Sequence, residues 1–465
     1  MTSIMSAALQ ELHEILKPHQ TKTDTESLNY YGKDWTTYFD IKAQAIVFPE
    51  SISDVQHIVH WANKNNICLV PSGGRTGLSG AAVATQNEVV VSFEKMNKIK
   101  NFNPIDRLVV CEPGVIIEEL QSFAVGKNLF YPVDFAARGS SQVGGSIATN
   151  AGGIKVLRYG MTRDWVAGLK VVTGTGELLD LNKGLIKNAT GYDLRHLFVG
   201  SEGTLGFIVE ATLRLTTPPP PLKTLLLSCS SLDQIMNVYN LFKEICTLTA
   251  FEMFSDKALT FVLESTKLPH PFTNPSPFYA VLEIECPHDS TEDTILQCFE
   301  KGIELHFMTD GLLAQSEEQA RIFWRYREQI SESLSRFSPY KNDLSVTISA
   351  VPGFVEELDR VLTQSYPTWT VVWFGHIGDG NLHINILRPS ELSKEEFVKE
   401  CQKVDSLVFK VTQKFSGSIS AEHGVGLTKK PFLPFARSNG EIQIMKQIKS
   451  IFDPKNIINP GKLID

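Results

Sequence analysis

"PSGGRTGLSGAA", Pro71–Ala82, follows the apolar run "CLV" and holds Gly73, Gly74, Gly77 and Gly80. Glycines at a strand end let successive backbone N–H groups turn inward, which makes a concave anion site. The spacing is neither G-x-G-x-x-G nor G-x-x-x-x-G-K-[ST]. A nicotinamide-type Rossmann domain and a triphosphatase loop are therefore disfavoured. Two more segments share this character: "PVDFAARGSSQVGGSIATNAGGIKVLRYG" (Pro132–Gly160) and "GSEGTLG" (Gly200–Gly206), which precedes a strand pattern. One such loop is ordinary turn chemistry. Three in one stretch point to a dinucleotide lying extended across them. "VVTGTGELLDL" begins like a Rossmann turn but runs into a second strand, so Gly174–Gly176 reads as a hairpin turn.

Around these loops, from about Gln44 to Leu215, short strands such as "AIVFP", "EVVVSF" and "GFIVEATLRL" alternate with helices. Ser51 is the expected N-cap of the helix "SISDVQHIVHWANKNN". "TTPPPP" (Thr216–Pro221) can continue neither strand nor helix and marks a boundary. Beyond it, strand and helix patterns alternate in a way that predicts an antiparallel sheet with helices on one face. The divisions expected are 1–40, an N-terminal helical segment; 41–217; 218–420; and 421–465, a closing helix stopped by Pro454.

Composition narrows the function. A chain of 465 residues holds two or three domains. Its formal charge of −8 disfavours a nucleic-acid partner, and no apolar run approaches the roughly 20 residues that span a bilayer. The N-terminus carries Glu11 and Glu14, unlike a secretory or Arg-rich leader. Seven cysteines without a CxxC pair read as reduced thiols, with no iron–sulfur cluster, and the expected location is cytoplasmic.

"GHIGDGNLHI" (Gly375–Ile384) carries the chemistry. Asp-Gly between apolar residues signals a two-residue hairpin turn, which sets His376 opposite His383. Opposed side chains lie roughly 4.5–5.5 Å apart at Cβ, close enough for two imidazoles to share a metal ion. "SGSISAEHGVG" adds Glu422 and His423, which point to opposite faces if the segment is extended. Imidazoles with a carboxylate suit zinc first, with manganese or cobalt as alternatives. In "FWRYREQISESLSRF", helical spacing places Trp324, Arg327 or Glu328, and Ser331 on one face. Arg327 and Ser331 can there hold a carboxylate, with Lys341 following. Asn385, two residues from His383, shares its face.

Taken together, the three glycine segments, "WFGHIGDGNLHINI", "SAEHGVG" and "FDPKNIINPGKL" resemble FAD-binding oxidoreductases of the vanillyl-alcohol-oxidase type. The resemblance covers nearly the whole chain and lies in the D-2-hydroxyacid dehydrogenase branch. It implies an α+β fold: a two-subdomain FAD-binding domain, an antiparallel-sheet substrate (cap) domain, and a C-terminal segment returning to the FAD domain. It implies pyrophosphate on Gly73, Gly74, Arg75, Thr76, Gly77 and Ser79. It further implies that Pro132, Gly139, Ser140, Gly145, Asn150, Gly153, Glu202, Gly203 and Ile208 line the adenosine and isoalloxazine. The first loop has no His or Cys to link a flavin, so FAD is expected to be non-covalent. By the same resemblance Glu422 completes a metal site with His376 and His383, and His423 is the base that frees the substrate alkoxide for hydride transfer to flavin N5.

"WRYREQI" with Lys341 before "DLS", "AFEMFSD" and "SPFYAVLEIE" is similar to D-2-hydroxyglutarate dehydrogenases, in which the Arg, a Thr and the Lys bind the distal carboxylate. Ser331 stands where that family has Thr, and Asn342 where Tyr is common. The loop "GGRTGLSG" is nearer to D-lactate dehydrogenase and glycolate oxidase relatives, which keeps D-lactate, glycolate and D-malate as alternative substrates. A non-catalytic metal- or ligand-binding protein is the third reading. The resemblance also implies an electron-transfer flavoprotein or a quinone as acceptor, and a homodimer is the general expectation.

Overall fold

The computed structural model describes residues 2–36 and 38–465, with side chains from Ala7 onward. Two units result: residues 1–152, 161–218 and 422–465 form the first, and residues 153–160 and 219–421 the second. Two expected divisions are corrected here. Residues 1–40 are not a separate segment but part of the first unit, where Trp61 Nε1 donates to Ala8 O at 2.9 Å. Residues 153–160 leave the glycine-rich unit for the second. There Lys155 pairs with Glu283, and Arg158 Nε donates to Glu285 Oε1 at 2.8 Å.

The first unit has two sheets. Strands β1 (Thr21–Lys22), β2 (Ala45–Val47), β3 (Leu69–Ser72) and β4 (Val89–Ser92) stand in the order β1-β2-β4-β3. β4 runs parallel to both of its neighbours. "AIV" and "VVV" are apolar without alternation because both faces are buried, as in parallel sheets generally. The helix Ile52–Asn65 starts where Ser51 Oγ accepts the Asp54 N–H at 3.1 Å, and it stops at left-handed Asn66.

Strands β5 (Ile99–Asn103), β6 (Leu108–Cys111), β7 (Val166–Thr173), β8 (Leu178–Leu181) and β9 (Gly206–Arg214) make an antiparallel sheet ordered β5-β6-β9-β7-β8. The β7–β8 pairing makes Gly174–Gly176 a hairpin turn, as the sequence predicts. Val172, Phe207 and Val209 of this sheet share a core with Val55, Ile58 and Trp61 of the helix and with Val89 and Val91. The C-terminal segment returns to this core. The helix Asn439–Phe452 ends ahead of Pro454, Ile458 bridges to Leu69, and Lys462 Nζ reaches Glu88 Oε1 at 3.0 Å, both fully buried.

The second unit is one antiparallel sheet of β10 (Leu222–Cys229), β11 (Leu248–Ser255), β12 (Phe278–Glu285), β13 (Asp310–Leu313), β14 (Tyr340–Ser345), β15 (Val371–Gly375) and β16 (Asn381–Ile386). Their order is β13-β10-β12-β11-β15-β16-β14. Helices cover both faces rather than the one expected. Phe251 and Glu252 are adjacent on β11 and so point oppositely. The helix Leu232–Ile245 meets Phe251 through Tyr239, with ring centroids 5.2 Å apart. The helix Glu317–Glu328 meets Glu252 through Arg327.

Candidate active site

In the first unit the glycine segments line one cavity. Gly73, Gly74, Arg75, Thr76, Gly77, Ser79, Gly145, Glu202, Gly203 and Ile208 all border it, and so do Glu422 and His423. No backbone hydrogen bond is donated by the amides of Gly73 to Leu78 among the described residues, which leaves a row of donors suited to pyrophosphate. Ser72 Oγ and Gln142 Oε1 also border the cavity and are buried without a hydrogen-bond partner among the described residues. Gly145 has open space where a Cβ would stand. Donors, orphaned polar atoms and a bare backbone fit a flavin dinucleotide.

Tight loop packing explains two glycines. A Cβ on Gly74 would meet Ser140 O at 2.1 Å, and one on Gly426 would meet Ser79 O at 2.2 Å. Arg75, left-handed at φ +60°, lays its guanidinium 4.4 Å from the Tyr30 ring and 4.8 Å from the Tyr31 ring. Glu202, at φ +52°, accepts the Val425 N–H at 2.7 Å and the Gly426 N–H at 2.8 Å. Burial pushes its carboxyl up, and those two amides oppose the shift. Glu202 thereby fastens the loop that begins with Glu422 and His423.

The remaining expected flavin residues fall elsewhere. Gly139 and Ser140 border a neighbouring recess with Gly74, Arg75 and Gln142. Asn150 is the left-handed cap of the helix Val143–Thr149, and its Oδ1 accepts the Arg163 N–H at 2.9 Å. Pro132 is buried beside Tyr131 and does not border the cavity, and Gly153 belongs to the second unit. Asp34 went unread in the sequence. Its Oδ2 accepts the Gly80 N–H at 2.8 Å and its carboxyl borders the cavity. A lone acid ahead of the first strand pattern gives no signal.

In the second unit His376 and His383 meet, but not by the expected turn. β15 and β16 pair Phe374 with His383, so His376 is a diagonal neighbour of His383 rather than its opposite. The connection is a 3-10 turn, Ile377–Asp379, closed by Gly380 at φ +85°. Burial of Ile377 and Gly378 against the sheet draws those residues out of the strands. The two imidazole centroids lie 5.2 Å apart with planes at 83°.

Each imidazole has a carboxylate at its back. Glu252 Oε1 is 2.7 Å from His376 Nδ1, and Asp343 Oδ1 is 3.6 Å from His383 Nδ1. Asn381 Nδ2 donates to that same Asp343 oxygen at 2.8 Å. Carboxylate-backed imidazoles are the usual surroundings of metal-ligating histidines, so the donor set fits a divalent ion. Ala421, the last residue of this unit, donates its N–H to Asp343 O at 3.3 Å, and Glu422 and His423 follow it in the chain.

Arg327 is buried, its Nη2 2.8 Å from Glu252 Oε2 and its guanidinium 4.9 Å from the Phe374 ring. Burial pushes the Glu252 carboxyl up, but the His376 imidazole and the Arg327 guanidinium outweigh it and hold the group below the ordinary glutamate value. Lys341 pairs with Asn385 across β14 and β16. Alternation puts Lys341, Asp343, His383, Asn385, Phe374 and Glu252 on one sheet face. Lys341 is reached by solvent, yet the protein mass around it lowers its pKa from the ordinary lysine value.

Ser331 is the correction on this side. The helix carrying Arg327 breaks at Gln329, and Ser331 lies exposed on the next helix, Ile330–Ser335, so the shared face with buried Arg327 is lost. Glu252 and Asp343 are the carboxylates that sequence reasoning missed. For Glu252 the signal was a single acid inside a mainly apolar strand, "LTAFEMFS"; Asp343, in the polar strand "YKNDLS", gave none.

Residues 218–463 match the family of FAD linked oxidases, C-terminal domain, and residues 43–182 match an FAD binding domain. D-2-hydroxyglutarate dehydrogenase of Stutzerimonas stutzeri (strain A1501) is 56% identical over 457 residues, with 98% of each chain covered. The protein of the same name from Xanthomonas citri pv. viticola is 50% identical over 454 residues, covering 98% of this chain and 96% of its own. Among solved structures, 4-ethylphenol oxidase from Gulosibacter chungangensis superposes with a TM-score of 0.78 at 16% identity, covering 100% of this chain and 98% of its own. Loops that fit a flavin, the two matched domains and relatives alike over almost their whole length lead to one conclusion: the chain belongs to the FAD-linked oxidases, in the D-2-hydroxyacid dehydrogenase branch, and is an FAD-dependent dehydrogenase.

Proposed function

We propose that the substrate is D-2-hydroxyglutarate, oxidised to 2-oxoglutarate with the help of a divalent metal ion, zinc first. The observation that carries this reading is the polar face of the second unit. Arg327 Nε and Asn385 Nδ2 are buried donors without an acceptor among the described residues, and Lys341 shares the sheet face with Asn385 and His383. Donors and cations in that number suit a small dicarboxylate better than a monocarboxylate. The names of the two bacterial relatives support the same substrate.

When bound, FAD accepts the two electrons and the metal lowers the pKa of the substrate hydroxyl. His376, His383 and Glu422 hold the metal in this reading. His423 takes the hydroxyl proton as the general base. Arg327 and Lys341 hold the distal carboxylate and Asn385 donates to the substrate, which fixes the reacting carbon for transfer. The flavin is held non-covalently, since the cavity loop Gly73–Ala82 offers no His or Cys.

Comparing kcat/KM for D-2-hydroxyglutarate, D-malate, D-lactate and glycolate tests the substrate. The first is expected to be highest, and Arg327→Lys to cost the dicarboxylates about 2 kcal/mol or more, roughly thirtyfold, because a lysine cannot reproduce the guanidinium fork. Equal losses on all four acids remove Arg327 from the carboxylate site. Highest turnover on D-lactate replaces the substrate.

A further inference from the structure

Glu252 is the single charged side chain on β11, is 1% exposed, and touches two residues to which the proposed reaction gives different tasks. Oε1 lies 2.7 Å from His376 Nδ1 and Oε2 lies 2.8 Å from Arg327 Nη2. β11 and β15 pair Met253 with Gly375 and Phe254 with Phe374, so the next position outward sets Glu252 across from His376. A carboxylate buried in an apolar strand is costly unless it is paired; Oε1 is held by the His376 hydrogen bond, and Oε2 by the charge of Arg327 without an aligned hydrogen bond. Clamping the helix Glu317–Glu328 to the sheet needs only the arginine contact. The second oxygen, spent on an imidazole nitrogen, is left unexplained by a purely structural role.

We propose that Glu252 is a positioning residue that registers the metal centre and the carboxylate clamp against each other. Accepting a hydrogen bond from the His376 Nδ1–H fixes the imidazole in the tautomer whose Nε2 carries the lone pair, and turns that nitrogen toward the metal. The other oxygen holds one edge of the Arg327 guanidinium, so that Nε is presented to substrate. One side chain thus sets the distance between the hydroxyl end and the distal carboxylate of the acid the site accepts. Two sites tuned by one carboxylate favour a substrate of fixed length.

This inference rests on the metal reading above, and its test separates the two. In FAD-loaded protein, Glu252→Gln keeps the shape but can accept from only one of the two donors. Zinc affinity, measured by chelator competition, is expected to fall at least tenfold, about the range for lost outer partners of metal ligands. KM for D-2-hydroxyglutarate is expected to rise more than KM for D-lactate, with flavin content unchanged. Zinc affinity within twofold of the parent and an unchanged KM ratio in a folded, flavin-loaded variant overturn the proposal. A second measurement needs no Glu252 variant. In metal-free parent protein labelled with 15N-histidine, the His376 signals, assigned by their loss in His376→Asn, are expected to show Nδ1 protonated and Nε2 bare. The opposite tautomer overturns the proposal even if the Gln variant does not fold. If the parent itself binds no zinc, the metal reading fails, and the tautomer together with the KM ratio still decides the role of Glu252.

Discussion

At the scale of single residues, Lys341 gives the sharpest expectation. Desolvation by the protein around it lowers its pKa although solvent reaches the side chain, so it loses its charge at a lower pH than a free lysine, which titrates near 10.4. The Lys341 cation, proposed to attract the distal carboxylate, is present at neutral pH and is lost as pH rises through the lowered value. A pH profile of kcat/KM for D-2-hydroxyglutarate should therefore show an alkaline limb below about 10.4 that Lys341→Arg moves out of range. Identical limbs in both proteins would take Lys341 out of the carboxylate site. Residue type and short-range spacing brought His376 and His383 to notice, and the family resemblance brought Arg327 and Lys341. Glu252 was not legible, because its partners sit 124 residues away at His376 and on a separate helix at Arg327. Only the strand order β11-β15 brings the first of these together.

Elements carry the next layer. The turn from Ile377 to Gly380 decides where the two imidazoles lie, and Gly380 is needed twice. Its φ of +85° is left-handed, and a Cβ would meet Val346 O at 2.1 Å. Gly380→Ala is expected to cost at least the roughly 1–2 kcal/mol of a left-handed non-glycine residue, and to weaken zinc binding by shifting His376 against His383. A variant with unaltered thermal stability and zinc affinity would show that the turn is not what sets the pair. Sequence reading recognised a turn at Asp379-Gly380 but placed it two residues too tightly. Ile377 is apolar and fully buried, and satisfying it lengthened the connection. The same kind of failure befell Ser331. Periodicity gave one continuous helix, whereas Gln329 ends the first helix and a new one starts at Ile330.

On the scale of the whole molecule, the chain crosses between its two units more often than its composition reveals. The proline run marks one crossing plainly, with the division at 218/219. The excursion of residues 153–160 has no such mark, since its glycines read equally well as part of the flavin loops. Lys155 and Arg158, paired with Glu283 and Glu285, are what tie it to the second unit. The return of the C-terminal segment was legible only through the family resemblance, and its anchor is the buried Lys462–Glu88 pair, both 1% exposed. Lys462→Met leaves Glu88 without its cation and should cost about 3–5 kcal/mol, read as a lower urea midpoint. A midpoint unchanged by the substitution would mean that the tail is held without the pair, by Ile458 and by Asn459, whose Nδ2 donates to Ala81 O and Glu202 O at 2.9 Å.

The central claim is that this FAD-dependent dehydrogenase oxidises D-2-hydroxyglutarate through a metal ion gathered by His376, His383 and Glu422. Its most direct test is turnover of D-2-hydroxyglutarate after chelation, with flavin content measured on the same sample. The account predicts that activity disappears while FAD stays bound, and that added zinc restores it. Full turnover by protein shown to be metal-free and flavin-loaded would contradict it.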